Sequence, residues 1–282
     1  MPGTLYVVAT PIGNLEDVTL RALRILREVS LVAAEDTRRT ARLLQHYSIS
    51  TPATSLHEHN EYARTPHLIA RLKGGDSIAL VSDAGTPGVS DPGARLVQAA
   101  HQAGIKVEPI PGPSAVTAMV SACGIGADGF VFAGFAPAKA GQRKRWLAGL
   151  ADERRAVVFY EAPHRVLATL GDIHLELGDR VVAIGRELTK VHEQLAVRPI
   201  NAWLADPPPP QGELVMVVYP RTAAMVGDKE RPTAAVIASE FGRSAEIEGL
   251  TRKEAMRAVA DRLGIRVKEV FDALEHVKNS AK

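Results

Sequence analysis

Over most of the chain, short apolar runs alternate with longer segments in which apolar residues recur at helical spacing. The runs at 4–9, 31–35, 78–82, 105–109, 130–134, 156–160, 180–184 and 213–219 predict strands. The segments 20–29, 38–46, 62–72, 94–103, 114–123 and 165–177 predict helices. Alternation of this kind predicts parallel α/β units. The helix at 114–123, followed by Gly124 and Gly126, reads as a hinge, so two α/β domains are expected over residues 1–119 and 120–222. The second ends with the stiff segment Pro207–Pro210, which feeds a last strand. Beyond Pro220 the strand pattern stops. A helix near 233–241, a capping box at Thr251-Arg-Lys-Glu254 and Gly264 as a stop before a helix at 267–278 predict a small all-helical, helix-turn-helix-like module over 228–282.

Composition narrows the function classes. The 282 residues carry 34 basic and 32 acidic side chains, a net charge of +2, so a polycationic field over the whole molecule is excluded and any nucleic-acid binding rests on local patches. The single cysteine, Cys123, lies in an apolar run and reads as a buried small hydrophobe, which excludes a disulfide framework. The N-terminal apolar stretch lacks a positive flank and is broken by Pro11, and no run approaches the ~18 apolar residues of a membrane span. A cytoplasmic protein without membrane attachment is expected.

Candidate chemistry gathers where strands end. The segments Thr10-Pro-Ile-Gly-Asn14, Ser82-Asp-Ala-Gly-Thr-Pro-Gly-Val-Ser-Asp-Pro-Gly93 and Pro111-Gly-Pro-Ser-Ala115 each follow a predicted strand, at the carboxyl edge where open α/β sheets meet ligands. Glycines 85, 88 and 93 permit positive φ and close approach of the backbone, and Ser114 opens a helix whose amides can meet an acceptor. The match Gly124-Ile-Gly126-Ala-Asp-Gly129 follows a helix and precedes a strand, the reverse of a dinucleotide fingerprint. His57-Glu-His59 lacks further ligands at metal spacing and reads as surface, so no metal is expected. Glu35-Asp-Thr-Arg-Arg39 reads either as a helix start capped by Asp36 or as a polar cleft wall. Lys139, Arg143, Lys144 and Arg145 read either as a solvated face or as phosphate contacts. Tyr160-Glu-Ala-Pro-His-Arg165 and Arg186-Glu-Leu-Thr-Lys190 place further polar groups just past strands.

Together with Glu35-Asp-Thr-Arg38, these motifs in this order resemble the tetrapyrrole methylase superfamily, the class III S-adenosylmethionine methyltransferases, over residues 4–219. Within it they resemble the branch that methylates a cytidine ribose 2'-hydroxyl in 16S rRNA of the small ribosomal subunit. The resemblance implies an α/β protein of two domains with the cofactor cleft between them, a C-terminal helical module, and a homodimer. It implies S-adenosylmethionine as cofactor, bordered by Pro11, Asp83, Thr86, Ser114, Ala115, Tyr160 and Leu214. The porphyrin enzymes' Gly-x-Gly-x-Gly-Asp first loop is missing, which points away from a porphyrin substrate and leaves the cofactor reading intact. Methyl transfer to a weakly acidic hydroxyl calls for a base or a nearby cation. Glu187 is the expected base, with Lys190 or Arg186 as its electrostatic partner, and Asp36 and Arg38 shape the opposite wall. Lys139, Arg143, Lys144 and Arg145 are the expected RNA contacts. Two alternatives stay open: methylation of a tetrapyrrole-like small molecule, and a non-catalytic, cofactor-regulated RNA-binding protein.

Overall fold

The computed structural model describes residues 2–125, 129–221, 234–246, 250–263 and 267–280. Gly126, Gly264 and the start of the helical module at 228–233 lie outside the described residues. The first sheet is built from β1 (Thr4–Val8), α1 (Leu20–Glu28), β2 (Leu31–Ala34), α2 (Thr37–His46), β3 (Ala53–Ser55), α3 (Glu61–Lys73), β4 (Ile78–Val81), α4 (Ala94–Gln102) and β5 (Lys106–Ile110). Its order is β3-β2-β4-β1-β5 and every pairing is parallel. Strands β2 and β4, Leu-Val-Ala-Ala and Ile-Ala-Leu-Val, are buried along their whole length because helices cover both faces of the sheet. One face packs Leu26, Val32 and Val81, the other Leu5, Leu72 and Leu80. Because the strands are parallel, the segments after β1, β2, β4 and β5 all emerge at one edge.

The second sheet is built after α5 (Ala115–Ala122) from β6 (Phe130–Phe135), α6 (Ala140–Ala148), β7 (Ala156–Glu161), α7 (Val166–Leu177), β8 (Val181–Arg186), β9 (Gln194–Pro199), α8 (Ile200–Ala205) and β10 (Leu214–Val218). Here the expectation of parallel units gives way. Only β6 and β7 run parallel; β10 lies antiparallel between β7 and β8, and β9 pairs antiparallel with β8. The cause is the short turn after β8, which returns the chain as a hairpin and leaves the central slot to the last strand. Helix α5 turns its buried face to this second sheet, so Val116, Met119 and Cys123 pack with Val158, Val215 and Val217.

Two buried polar groups stiffen this half. Arg143 on α6 and Asp172 on α7 form a two-point ion pair, Nε to Oδ2 at 2.8 Å and Nη2 to Oδ2 at 2.7 Å, with side chains only 5% and 12% exposed. Glu161, at the end of β7, accepts from the Thr169 hydroxyl, from Arg165 Nε at 2.8 Å and from the Ala162 amide at 2.6 Å. Its carboxylate thereby fixes the start of the segment 162–165.

Residues 221–282 form a separate compact unit. Helices α9 (Ala234–Glu246), α10 (Arg252–Leu263) and α11 (Val267–Ser280) pack around Ile237, Val259, Ala260 and Val270. The expected capping box forms: Thr251 Oγ1 accepts from the Glu254 amide at 3.4 Å and Glu254 Oε2 from the Thr251 amide at 3.0 Å. No described helix is long and apolar enough to cross a membrane.

Candidate active site

A cleft of about 380 Å³ opens between the carboxyl edge of the first sheet and β6, β7 and β10 of the second. That volume lies in the range of small-molecule sites, ~300–1,000 Å³. Three first-half loops meet on its floor and are tied to one another. Thr10 and Gly85 exchange backbone hydrogen bonds of 2.8 and 2.9 Å, Thr10 Oγ1 donates to the Ser82 carbonyl at 3.2 Å, and Thr86 Oγ1 donates to the Pro113 carbonyl at 3.2 Å. Gly85 reaches its bond with φ +80°, a conformation that costs a side-chain-bearing residue. The far end of the 82–93 loop is anchored by Glu61 on α3, whose Oε1 accepts from the amides of Gly93 at 3.1 Å and Arg95 at 2.9 Å. It thus satisfies donors at the start of α4.

One wall is acidic. Glu35 Oε2 accepts from the Asp83 amide at 3.2 Å, Asp83 Oδ1 accepts from the Asp36 amide at 2.9 Å, and Arg39 Nε lies 3.5 Å from Asp83 Oδ2. Burial raises the Glu35 carboxyl above its ordinary value, against the lowering effect of the Asp83 amide. Asp91 is pushed up to about 6, chiefly by burial; its hydrogen bond with Ser82 opposes the shift, and the charges of Glu35 and Asp83 add to it. Across the cleft, Tyr160 is pushed up to about 12 by burial and by the Asp91 charge, so it stays a neutral hydrogen-bond donor. Its ring packs against Phe132 and Phe135 with centroids 5.2 and 5.0 Å away.

Asp83, Thr86, Ser114, Ala115, Tyr160 and Leu214 line this one cleft, although they come from loops and strands distributed over both sheets. Pro11 instead borders a smaller neighbouring depression together with Arg39, Ser82 and Asp83. Asp36 and Arg38 do not line the cleft. Asp36 caps α2, accepting from the Arg38 amide at 2.8 Å, and its other oxygen holds the Arg38 guanidinium at 2.8 Å. Glu35 and Arg39, just before the cap and one turn beyond it, face the cleft in their place.

The 186–190 segment is a brace beside the cleft. Glu187 Oε1 accepts from Lys190 Nζ at 2.9 Å and from the Glu213 amide at 2.8 Å, Lys190 also reaches Glu213 Oε2 at 3.0 Å, and Arg186 Nε donates to the Gln211 carbonyl at 2.8 Å. The Lys190 hydrogen bond holds the Glu187 carboxyl below its ordinary value, which makes it a poor proton acceptor. Glu187 and Thr189 sit at φ +50° and +67°, and the Lys190 chain packs on Gly13, where a Cβ would fall 2.4 Å from Lys190 Cγ. Leu188 and Glu213, which sequence reasoning did not single out, reach the cleft from this brace.

The basic cluster splits in two. Lys139 and Arg145 are exposed and Lys144 is half-exposed, 3.8 Å from Asp172. Arg143 is buried in its pair with Asp172, which removes it from the groups that can meet a phosphate. The His57 and His59 rings lie 6.0 Å apart, and no cluster suited to a metal ion occurs among the described residues.

Residues 4–202 match the family described as Tetrapyrrole (Corrin/Porphyrin) Methylases. The chain belongs to this methylase family. Among its relatives, a Synechocystis sp. protein called Ribosomal RNA small subunit methyltransferase I is 47% identical over 264 residues, covering 92% of each chain. A Pasteurella multocida protein of the same name is 43% identical over 282 residues and 98% of each chain. Solved structures at lower sequence identity share the fold. Diphthine synthase superposes with a TM-score of 0.61 at 17% identity, covering 78% of this chain and 91% of its own. The methyltransferase CobJ gives 0.58 at 21% identity, covering 77% and 94%.

Proposed function

We propose that this methylase uses S-adenosylmethionine to methylate a cytidine ribose 2'-oxygen in 16S rRNA of the small ribosomal subunit. The observation that carries the reading is near full-length similarity to proteins named for methylating small-subunit ribosomal RNA. The cleft suits the cofactor chemically. Its Glu35, Asp83 and Asp91 carboxylates match a ligand bearing a sulfonium and an ammonium, and the Tyr160–Phe135 pair offers flat apolar surface to a purine. When bound, the cofactor supplies a methyl group already activated by its sulfonium.

The chain's residues then bind and orient. Ser114 makes no capping bond of its own to α5, so its hydroxyl and the first α5 amides remain to meet a carboxylate. The bridge between Thr10 and Gly85 holds the floor at fixed spacing, which favours the in-line geometry methyl transfer needs. Lys139, Lys144 and Arg145, next to the Phe135 edge of the cleft, are assigned to RNA phosphates. The same reading takes the enzyme to be a cytoplasmic homodimer, which sedimentation equilibrium tests.

Ribose-methylation mapping of rRNA from a strain lacking the protein should show one cytidine position lost and regained on complementation; an unchanged map would sink the proposal. Replacing Lys139, Lys144 and Arg145 together by Ala should weaken binding to small subunits and lower the slope of log K against log salt by about 0.7–0.9 for each phosphate these side chains neutralise. A slope equal to that of the wild type would assign the three residues to a solvated face.

A further inference from the structure

Beside the cleft lies a second, smaller depression. It measures about 110 Å³, well below the ~300 Å³ at which small-molecule sites begin, so it suits one small group and not a nucleoside. Pro11 and Leu15 give it an apolar rim, and Arg39 and Arg42 of α2 form its basic side. The helical register puts those two arginines together: Thr40 and Leu43 are buried, which leaves Arg39 and Arg42, three residues apart, on the exposed side. Arg39 and Asp83 also line the cleft, so the two spaces share a wall.

Their pairing separates these arginines from their neighbour. Arg38 is held by Asp36. Arg39 comes no closer to Asp83 than 3.5 Å, and Arg42 is exposed and pairs with no carboxylate among the described residues. Two cations face the single Asp83 carboxylate, so the depression is net positive, whereas the adjoining cleft holds Glu35, Asp83 and Asp91. A cationic methyl donor therefore has an acidic site, and an anionic group has a basic one next to it.

Building on the methyl-transfer reading above, we infer that Arg39 and Arg42 hold the RNA phosphodiester next to the acceptor ribose, clamping that nucleotide across the shared wall. A guanidinium presents paired N–H donors that match two phosphate oxygens, which a solvated point charge does not. Such contacts fix register and orientation without reading sequence. The arginines belong to the first-sheet side of the cleft, and Lys139, Lys144 and Arg145 to the second, so the strand is gripped from both.

The test compares wild type with R42A and R42E in three ways: binding to small ribosomal subunits over a range of salt, turnover with labelled S-adenosylmethionine, and cofactor Kd by calorimetry. Arg42 does not line the cleft, so cofactor Kd should stay at the wild-type value. R42A should weaken subunit binding about tenfold and lower the slope of log K against log salt by about 0.7–0.9, the share of one phosphate. The value of kcat/KM should fall with it, and R42E should weaken binding further. The slope decrement should add to that of the variant lacking Lys139, Lys144 and Arg145, because the two patches neutralise different phosphates. Thermal unfolding should not change, since Arg42 is exposed and unpaired among the described residues.

An unchanged salt slope in R42A would overturn the assignment. So would a loss explained by cofactor Kd, which would mean that the depression holds the cofactor's carboxylate instead. A wild type that binds subunits with a slope lowered by R42A, yet methylates no rRNA, would overturn the methylation reading and leave the phosphate site standing, so the two failures are distinguishable.

Discussion

Replacing Arg143 by Met is expected to destabilise the protein by about 3 kcal/mol, the low end of what breaking a buried ion pair costs. The change removes one partner of a pair whose side chains are 5% and 12% exposed, and leaves Asp172 ionised against apolar neighbours. Lys144, 3.8 Å from the other Asp172 oxygen, compensates in part, which is why the low end applies. For a domain of this size the loss corresponds to a fall in Tm of roughly 6–12 °C. Lys144→Ala and Arg145→Ala, by contrast, should change stability by less than about 1 kcal/mol, because both side chains reach solvent. The double variant R143M/D172L should recover most of the loss, since an apolar pair needs no desolvated charge. Thermal unfolding of the four variants checks the set; R143M as stable as wild type but weakened in RNA binding would return Arg143 to the RNA-contact group.

The second large effect is expected at Gly93. This residue takes φ +117° at the start of α4, and an added Cβ would lie 2.6 Å from Leu80 Cδ2. Ala at this position meets a left-handed backbone penalty of ~1–2 kcal/mol and core overpacking of ~1–3 kcal/mol. A total loss of about 2–5 kcal/mol is expected in chemical denaturation. Because Glu61 fixes Gly93 and the loop behind it, the displacement should travel to Asp91 and lower cofactor affinity at least tenfold, measurable by calorimetry. Gly88 supplies the control. It also has positive φ, +82°, but nothing lies within 4 Å of its Cβ position, so Gly88→Ala should cost only about 1 kcal/mol. Equal effects at the two glycines would show that backbone conformation, and not space, governs the loop.

Much of the cleft floor could be read from the sequence because its chemistry is local. Turn residues behind apolar runs announce the segments at 10–14, 82–93 and 111–115 without any knowledge of packing. What the sequence hid depends on where distant elements meet. Asp36 looks like a wall residue until its carboxylate is seen engaged by its own helix, whereas Glu35 and Arg39 face the cleft only because α2 starts where it does. Glu187 has the composition of a base, but its positive φ and its pairing with Lys190 make it a turn residue, and a positive φ at a non-glycine position leaves no mark in the sequence. Asp91 lay in plain view inside the richest motif, but its carboxyl is raised by burial in a cleft that this loop forms only together with the second sheet. Strands β3 and β9 escaped for simpler reasons: one has only three residues, and the other has polar ends, Gln194 and Arg198, around a short apolar centre.

The central position of β10 bears on how this chain emerges from the ribosome. The first sheet needs nothing beyond Ile110 to pair all its strands, so it can close while synthesis continues. The second sheet cannot: β7 and β8 are joined through β10, the last of the described strands to be made, and until Leu214–Val218 appears their facing edges have unpaired backbone groups. A nascent chain paused before residue 214 would therefore carry one folded half and one open half, the state most exposed to chaperone capture or to pairing with a neighbouring nascent copy.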